Sequence, residues 1–221
     1  MERNSLKSIF FRSEEFTFKE VSSLSGLESE DFEKTTKQFY FEKTYERLNK
    51  FYKQNGILDK EDKINGVVVP SVNDLIKQID KDWLCSKKFY QFHGDFILDN
   101  IIETDKGFCL IDWRQDFAGN LDVGDIYYDL AKLNHNLTIN HDIVNKNLFS
   151  SNPNNCYILT NSKLNECREI LYKFILDEGL DLNKVKILTA IIWINMAPLH
   201  EYPLNNFLFN FGKYTLNYLY E

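Results

Sequence analysis

The stretch that decides the reading is His93-Gly94-Asp95-Phe96-Ile97-Leu98-Asp99-Asn100, followed after a gap by Leu110-Ile111-Asp112-Trp113. Between them Thr104-Asp105-Lys106-Gly107 is turn sequence, with Gly where a positive φ is useful. Residues 100–103 and 108–113 are therefore predicted as the two strands of one hairpin. That hairpin carries Asn100 and Asp112 to adjacent strand ends, a few residues downstream of Asp95. Residue types of this kind suit phosphoryl transfer, which needs a base or orienter for an attacking hydroxyl and hard oxygen ligands for Mg²⁺.

Outward from this centre the chain is mostly helical. Upstream, Phe32, Phe39, Tyr40, Leu48, Phe51 and Tyr52 keep a helical period over 29–55, and Gly56 follows as a C-terminal cap. Ser71 with Asp74 three residues on predicts a capped helix through Ile79. Val67 to Pro70 and Lys88 to Phe92 read as extended. Downstream, helices are expected at about 125–136, 164–177, 183–196 and 204–220. Apolar pairs at 5–21 suggest one or two strands. The fold class is α+β and mostly helical, with a small central β-hairpin.

The bulk numbers narrow the classes. A chain of 221 residues, 43% hydrophobic, builds one domain with a substantial core. A net charge of -7 and a pI near 5.2 argue against a nucleic-acid partner, which calls for the opposite balance. The same acidity most often means simple solubility and only mildly favours a cationic or neutral substrate. Cys85, Cys109, Cys156 and Cys167 lie far apart with no C-x-x-C, so reduced thiols are expected rather than zinc or disulfides. The most apolar run, 187–199, is too short to span a bilayer, and the first 18 residues lack the apolar core of a signal peptide. A cytoplasmic protein without membrane contact is expected.

The H-G-D-x-x-x-x-N segment with its spaced I-D-W resembles the catalytic loop of the aminoglycoside phosphotransferase and choline kinase family of small-molecule kinases. Gly124-Asp125-Ile126-Tyr127-Tyr128-Asp129-Leu130-Ala131 is similar to that family's D-x-x-x-D-[IL]-A helix start. The resemblance covers roughly residues 30 to 220. It implies a kinase-like C-terminal lobe, ATP and Mg²⁺ as cofactors, Asp95 as catalytic base, and Asn100 and Asp112 as metal ligands that also hold the nucleotide. It further implies transfer to a hydroxyl of a small alcohol, with a sugar ahead of an amino alcohol. His93 then serves to hold the loop, and Asp125 and Asp129 act as helix cap and hydrogen-bonding anchor. Arg114, His200 and Glu201 are the substrate-side candidates. Arg114 is expected to meet a phosphate or acidic substrate, or else to pair with Asp116. His200 and Glu201 are expected in a loop facing the cleft.

Other residues have plainer readings. Asp99 reads as a solvated loop carboxylate. The aromatic tail from Trp193 to Tyr220 reads as core packing before it reads as a cage for a quaternary amine.

The chain departs from the family at its start. Residues 1–28 leave room for only a remnant of the family's N-terminal β-lobe, and no G-x-G-x-x-G flap occurs. The domain reading is a remnant over 1–28 and the catalytic lobe over 29–221. The missing lobe implies a truncated chain, a separate N-lobe chain, or a degenerate form with a binding role, and apolar surface left uncovered there would favour a homodimer or aggregation. The competing function is a non-catalytic kinase-like binding module. A regulatory protein kinase is disfavoured by the Gly of H-G-D and the lack of an A-P-E segment.

Overall fold

The computed structural model describes residues 20–21, 27–105 and 107–220. The expected strands at 5–21 lie outside the described residues except for Glu20 and Val21. Those two run beside Phe89 and Tyr90, with Val21 N donating to Phe89 O at 3.0 Å, and Glu20 pairing with Lys88 at 2.9 Å.

The fold is mostly helical with small antiparallel strand pairs. The long N-terminal helix comprises α1 (Ser29–Lys37), a π-helical stretch (Gln38–Glu42) and α2 (Lys43–Asn55). Phe39, Tyr40 and Phe41 lie in the π stretch and are all buried. Three consecutive buried side chains would overrun one face of a regular α-helix. Here neighbours enclose that turn on several sides, and such π insertions recur at functional sites. Gly56 ends α2 in the left-handed region at φ 61°, its N–H capping Tyr52 O.

Strands β1 (Asp62–Ile64) and β2 (Val67–Val69) form a hairpin, and Ser71 caps α3 (Val72–Gln78) by accepting from Asp74 N. A one-turn helix α4 (Lys81–Leu84) follows. The central hairpin pairs β3 (Ile101–Thr104) with β4 (Gly107–Leu110), opposing Ile101 to Leu110. β4 is shorter than the sequence suggests. It stops at Leu110 because Asp112 turns left-handed, at φ 56°, and Ile111 O and Arg114 N are engaged by His93 instead.

The helical body contains α5 (Ile126–Thr138), α6 (His141–Asn145), α7 (Ser162–Asp177), α8 (Leu182–Met196) and α9 (Leu204–Tyr218). Between α6 and α7 lies a two-residue strand pair, β5 (Phe149–Ser150) and β6 (Tyr157–Ile158). α8 is apolar nearly all round and is the buried axis, packed by α2, α5 and α9. The aromatic tail is core in its first part: Trp193, Phe207 and Phe209 are buried, whereas Tyr202 and Tyr218 are exposed. All four cysteines are free thiols. Among the described residues no helix is long and apolar enough to cross a membrane.

Candidate active site

The loop His93–Asn100 is fixed from below by one face of α5. Asp129 accepts from His93 N at 2.6 Å and from Gly94 N at 2.7 Å, one bond to each carboxylate oxygen. Asn136 Oδ1, two turns on, accepts from Leu98 N at 3.0 Å. Lys132 lies between them and reaches Asp95 Oδ1 at 2.6 Å. Residues 129, 132 and 136 recur at helical spacing, so one stripe of α5 carries the loop's support. The sequence reading missed Lys132 and Asn136. The signal available was this same spacing of polar residues on a helix otherwise buried.

Asp129 is wholly buried, and burial pushes its carboxyl up to about 7 despite the two backbone donors. Asp125 caps α5 by accepting from Tyr127 N at 3.0 Å and also accepts from Tyr40 Oη at 2.8 Å. It too is raised by burial, to about 6. These are anchoring contacts within the protein, and neither carboxylate reaches the solvent.

His93 ties the two halves of the site together. Its Nδ1 accepts from Asp95 N at 3.2 Å and its Nε2 meets Ile111 O at 2.8 Å. A carbonyl only accepts, so Nε2 carries the proton and the ring is neutral. Burial, which lowers the imidazole's pKa, favours that same form. Gly94 sits at φ 80°, and a Cβ there would lie 2.4 Å from Arg114 Cβ. Only glycine lets the loop pass so close to the chain after Asp112.

Asn100 donates through Nδ2 to Asp95 O at 2.9 Å and more weakly to Asp95 Oδ2 at 3.4 Å. Reversing that amide would oppose two oxygens, so its orientation is set by the loop. Its Oδ1 is left without a hydrogen-bond partner among the described residues. Asp112 is exposed, and its carboxylate makes no hydrogen bond or ion pair with them either. No group of three His, Cys, Asp or Glu gathers there as a protein-only metal cage. One amide oxygen and one carboxylate, both unengaged, suit a metal that takes its other ligands from phosphate and water.

Arg114 lies beside this loop, its guanidinium 5.2 Å from the Phe39 ring centroid and Nη1 donating to Tyr128 Oη at 3.4 Å. It does not pair with Asp116, which instead accepts from Gly119 N at 2.7 Å. Asp99 lies 3.2 Å from His141 Nδ1. His200 and Glu201 follow a 3₁₀ turn (Ala197–Leu199) and are exposed; neither lines the cavity beside Asp95, although Leu199 does.

A profile described as the phosphotransferase enzyme family, APH, matches residues 28–144, just over half of the 221-residue chain. The chain belongs to the APH phosphotransferase family. The matched region runs from α1 through α6 and contains the His93–Asn100 loop, the hairpin, Asp112 and the supporting stripe of α5. Comparison with curated proteins and with solved structures gives no match. Family membership makes this a kinase-like phosphotransferase.

Proposed function

We propose that the chain transfers the terminal phosphoryl group of ATP to a hydroxyl of a small alcohol, in a Mg²⁺-dependent reaction, with a sugar ahead of an amino alcohol as acceptor class. The observation that carries this reading is the setting of Asp95. One of its carboxylate oxygens is held by Lys132 and the other is turned towards Asn100. A base for the acceptor hydroxyl belongs at such a junction between an acceptor side and a phosphate side. Asp95 orients the hydroxyl and takes its proton as the acceptor oxygen bonds to phosphorus; the bond from phosphorus to the leaving oxygen breaks, and ADP departs. Asn100 Oδ1 and Asp112 would hold the metal, which when bound neutralises charge on the nucleotide's phosphates. His93 and Asp129 keep the loop in register through the bonds described above.

A thermal-shift titration tests the reading. At about a hundredfold excess over Kd, Mg²⁺·ATP should stabilise the protein by roughly 2.7 kcal/mol, on the order of 5–10 °C for a chain of this size. Asp112→Ala should abolish the metal-dependent shift. Asp95→Asn should keep the shift and lose turnover by roughly 10²–10⁴-fold, the usual worth of general base catalysis. Undiminished turnover in both variants would refute the assignment. No shift with the unaltered chain would favour a binding module that does not use nucleotide.

A further inference from the structure

A cavity of about 200 Å³, lined in part by Lys132, the ion-pair partner of Asp95, lies between the long N-terminal helix, α5 and α8. Its polar wall is cationic: Lys43 and Arg47 from α2, Arg114 from the loop after Asp112, and Lys132 from α5. Its apolar wall includes Ile191, Ile192 and Met196 of α8. In a chain of net charge -7, four cations lining one cavity is a local reversal of sign.

Lys132 is matched by Asp95, but Lys43, Arg47 and Arg114 have no carboxylate within ion-pair distance among the described residues. Lys43 and Arg114 both lie near the Phe39 ring, at 4.3 and 5.2 Å from its centroid, which positions them without neutralising them. Burial, and then the charges of Arg114, Arg47 and Lys132, bring Lys43 down to about 8. Asp116 is the acid that opposes this, and it is half-buried and committed to Gly119 N. Like charges held together in a partly dry cavity repel one another, and an anion entering would relieve that repulsion. Asn195 adds a polar atom on the α8 wall: its Nδ2 donates to Thr44 Oγ1 at 2.9 Å while its buried Oδ1 has no partner.

Asp95 itself does not line the cavity; its ion-pair partner Lys132, bound to Oδ1, does, whereas Asn100 and Asp112 do not. The cavity is thus joined to Asp95 through Lys132 and is lined by none of the atoms assigned to the metal. We infer that Lys43, Arg47 and Arg114 bind an anionic group of the acceptor, so that the alcohol phosphorylated here itself carries a phosphate or a carboxylate. This rests on the phosphotransferase reading above and narrows it against an amino alcohol. It also reverses the expectation, drawn from net charge alone, of a cationic or neutral substrate.

The test is calorimetric binding, without nucleotide, of four sugars sharing one ring: glucose 6-phosphate, glucuronate, glucose and glucosamine. At least one of the two anions should bind about tenfold or more tightly than glucose, with glucosamine weakest. Which anion binds better identifies the group as phosphate or carboxylate. Lys43→Gln and Arg47→Gln, each checked for native unfolding behaviour, should each weaken anion binding by about tenfold and leave the Mg²⁺·ATP thermal shift in place. Glucose or glucosamine binding as well as the anions would overturn the inference. So would anion affinity unmoved in both variants, or loss of the Mg²⁺·ATP shift in them, which would assign the cations to the nucleotide. Absent sugar selectivity with an intact metal-dependent shift would defeat this inference alone. Sugar selectivity intact with no metal-dependent shift would defeat the phosphotransferase reading, and the acceptor role with it.

Discussion

Replacing Asp129 by Asn separates the two forces acting on the buried carboxylate beneath the loop. Its two short bonds to His93 N and Gly94 N favour the anion, while burial disfavours it and raises the pKa from 3.8 to about 7. A carboxylate raised in the fold binds its proton more tightly folded than unfolded. Its contribution is fully present below the unfolded pKa near 3.8 and is lost as pH rises through about 7. Asparagine has no such titration. It keeps one acceptor oxygen but turns an NH₂ towards the second backbone N–H, leaving a buried donor unmet at a cost of about 1–3 kcal/mol. Over the measured range, pH 5–8, the destabilisation of Asp129→Asn should therefore be largest at pH 5. It should shrink towards pH 8 by roughly 2–3 kcal/mol, being 1.36 kcal/mol per pH unit over the interval up to about pH 7. Urea unfolding followed by tryptophan fluorescence at pH 5, 6, 7 and 8 measures the difference, since other groups titrate in both proteins. A penalty that does not change with pH would mean that the carboxylate stays ionised throughout, and that the two backbone donors outweigh burial.

Gly94→Ala would place a Cβ 2.4 Å from Arg114 Cβ at a φ of 80°, so it should cost roughly 2–4 kcal/mol and lower turnover; unchanged unfolding would show that the loop yields easily. Asn100→Ala removes the proposed metal oxygen and the amide that steadies Asp95, so Mg²⁺ should bind at least as poorly as the roughly 10–100-fold loss typical of an outer-shell partner, read from the Mg²⁺ dependence of the ATP thermal shift. Lys213 is completely buried, with Nζ 2.6 Å from Lys60 O and 2.7 Å from Asp62. Lys213→Met keeps the packing and strands both partners, so urea denaturation should show a loss of about 1–3 kcal/mol with no change in nucleotide binding.

Where a local rule sufficed, the elements were legible. The N-terminal helix shows in its periodic aromatics and in Gly56, whose left-handed cap needs no tertiary partner. Ser71 and Asp125 announce their helices because a cap satisfies N–H groups two or three residues away. The end of β4 is different. Ile111 to Trp113 is apolar enough to extend a strand, but a neutral imidazole eighteen residues earlier takes Ile111 O. No local propensity reports a competitor that far along the chain. The π stretch was equally hidden, since Phe39 and Tyr40 pack on Phe117 and Tyr128 from later elements, and Lys81 of α4 lies over the Phe41 ring.

The same distinction divides the site. Asp95, Asn100 and Asp112 fall within eighteen residues, so their juxtaposition is a property of one loop and one hairpin. The cations are not local. On α2, Lys43 and Arg47 are four apart among other charged residues, Glu42, Glu46 and Lys50, and resemble a solvated helix face. They become a wall because α8 crosses behind them and α5 turns Lys132 towards the same space. Net charge pointed away from an anion because it sums over the whole surface, whereas a ligand in a partly dry cavity responds to the few charges around it. If the acceptor is anionic, its selectivity should therefore fall only modestly as salt rises, because the half-buried cations are screened less than surface ones. Selectivity for glucose 6-phosphate or glucuronate that vanished at moderate salt would place the contact on the open surface instead.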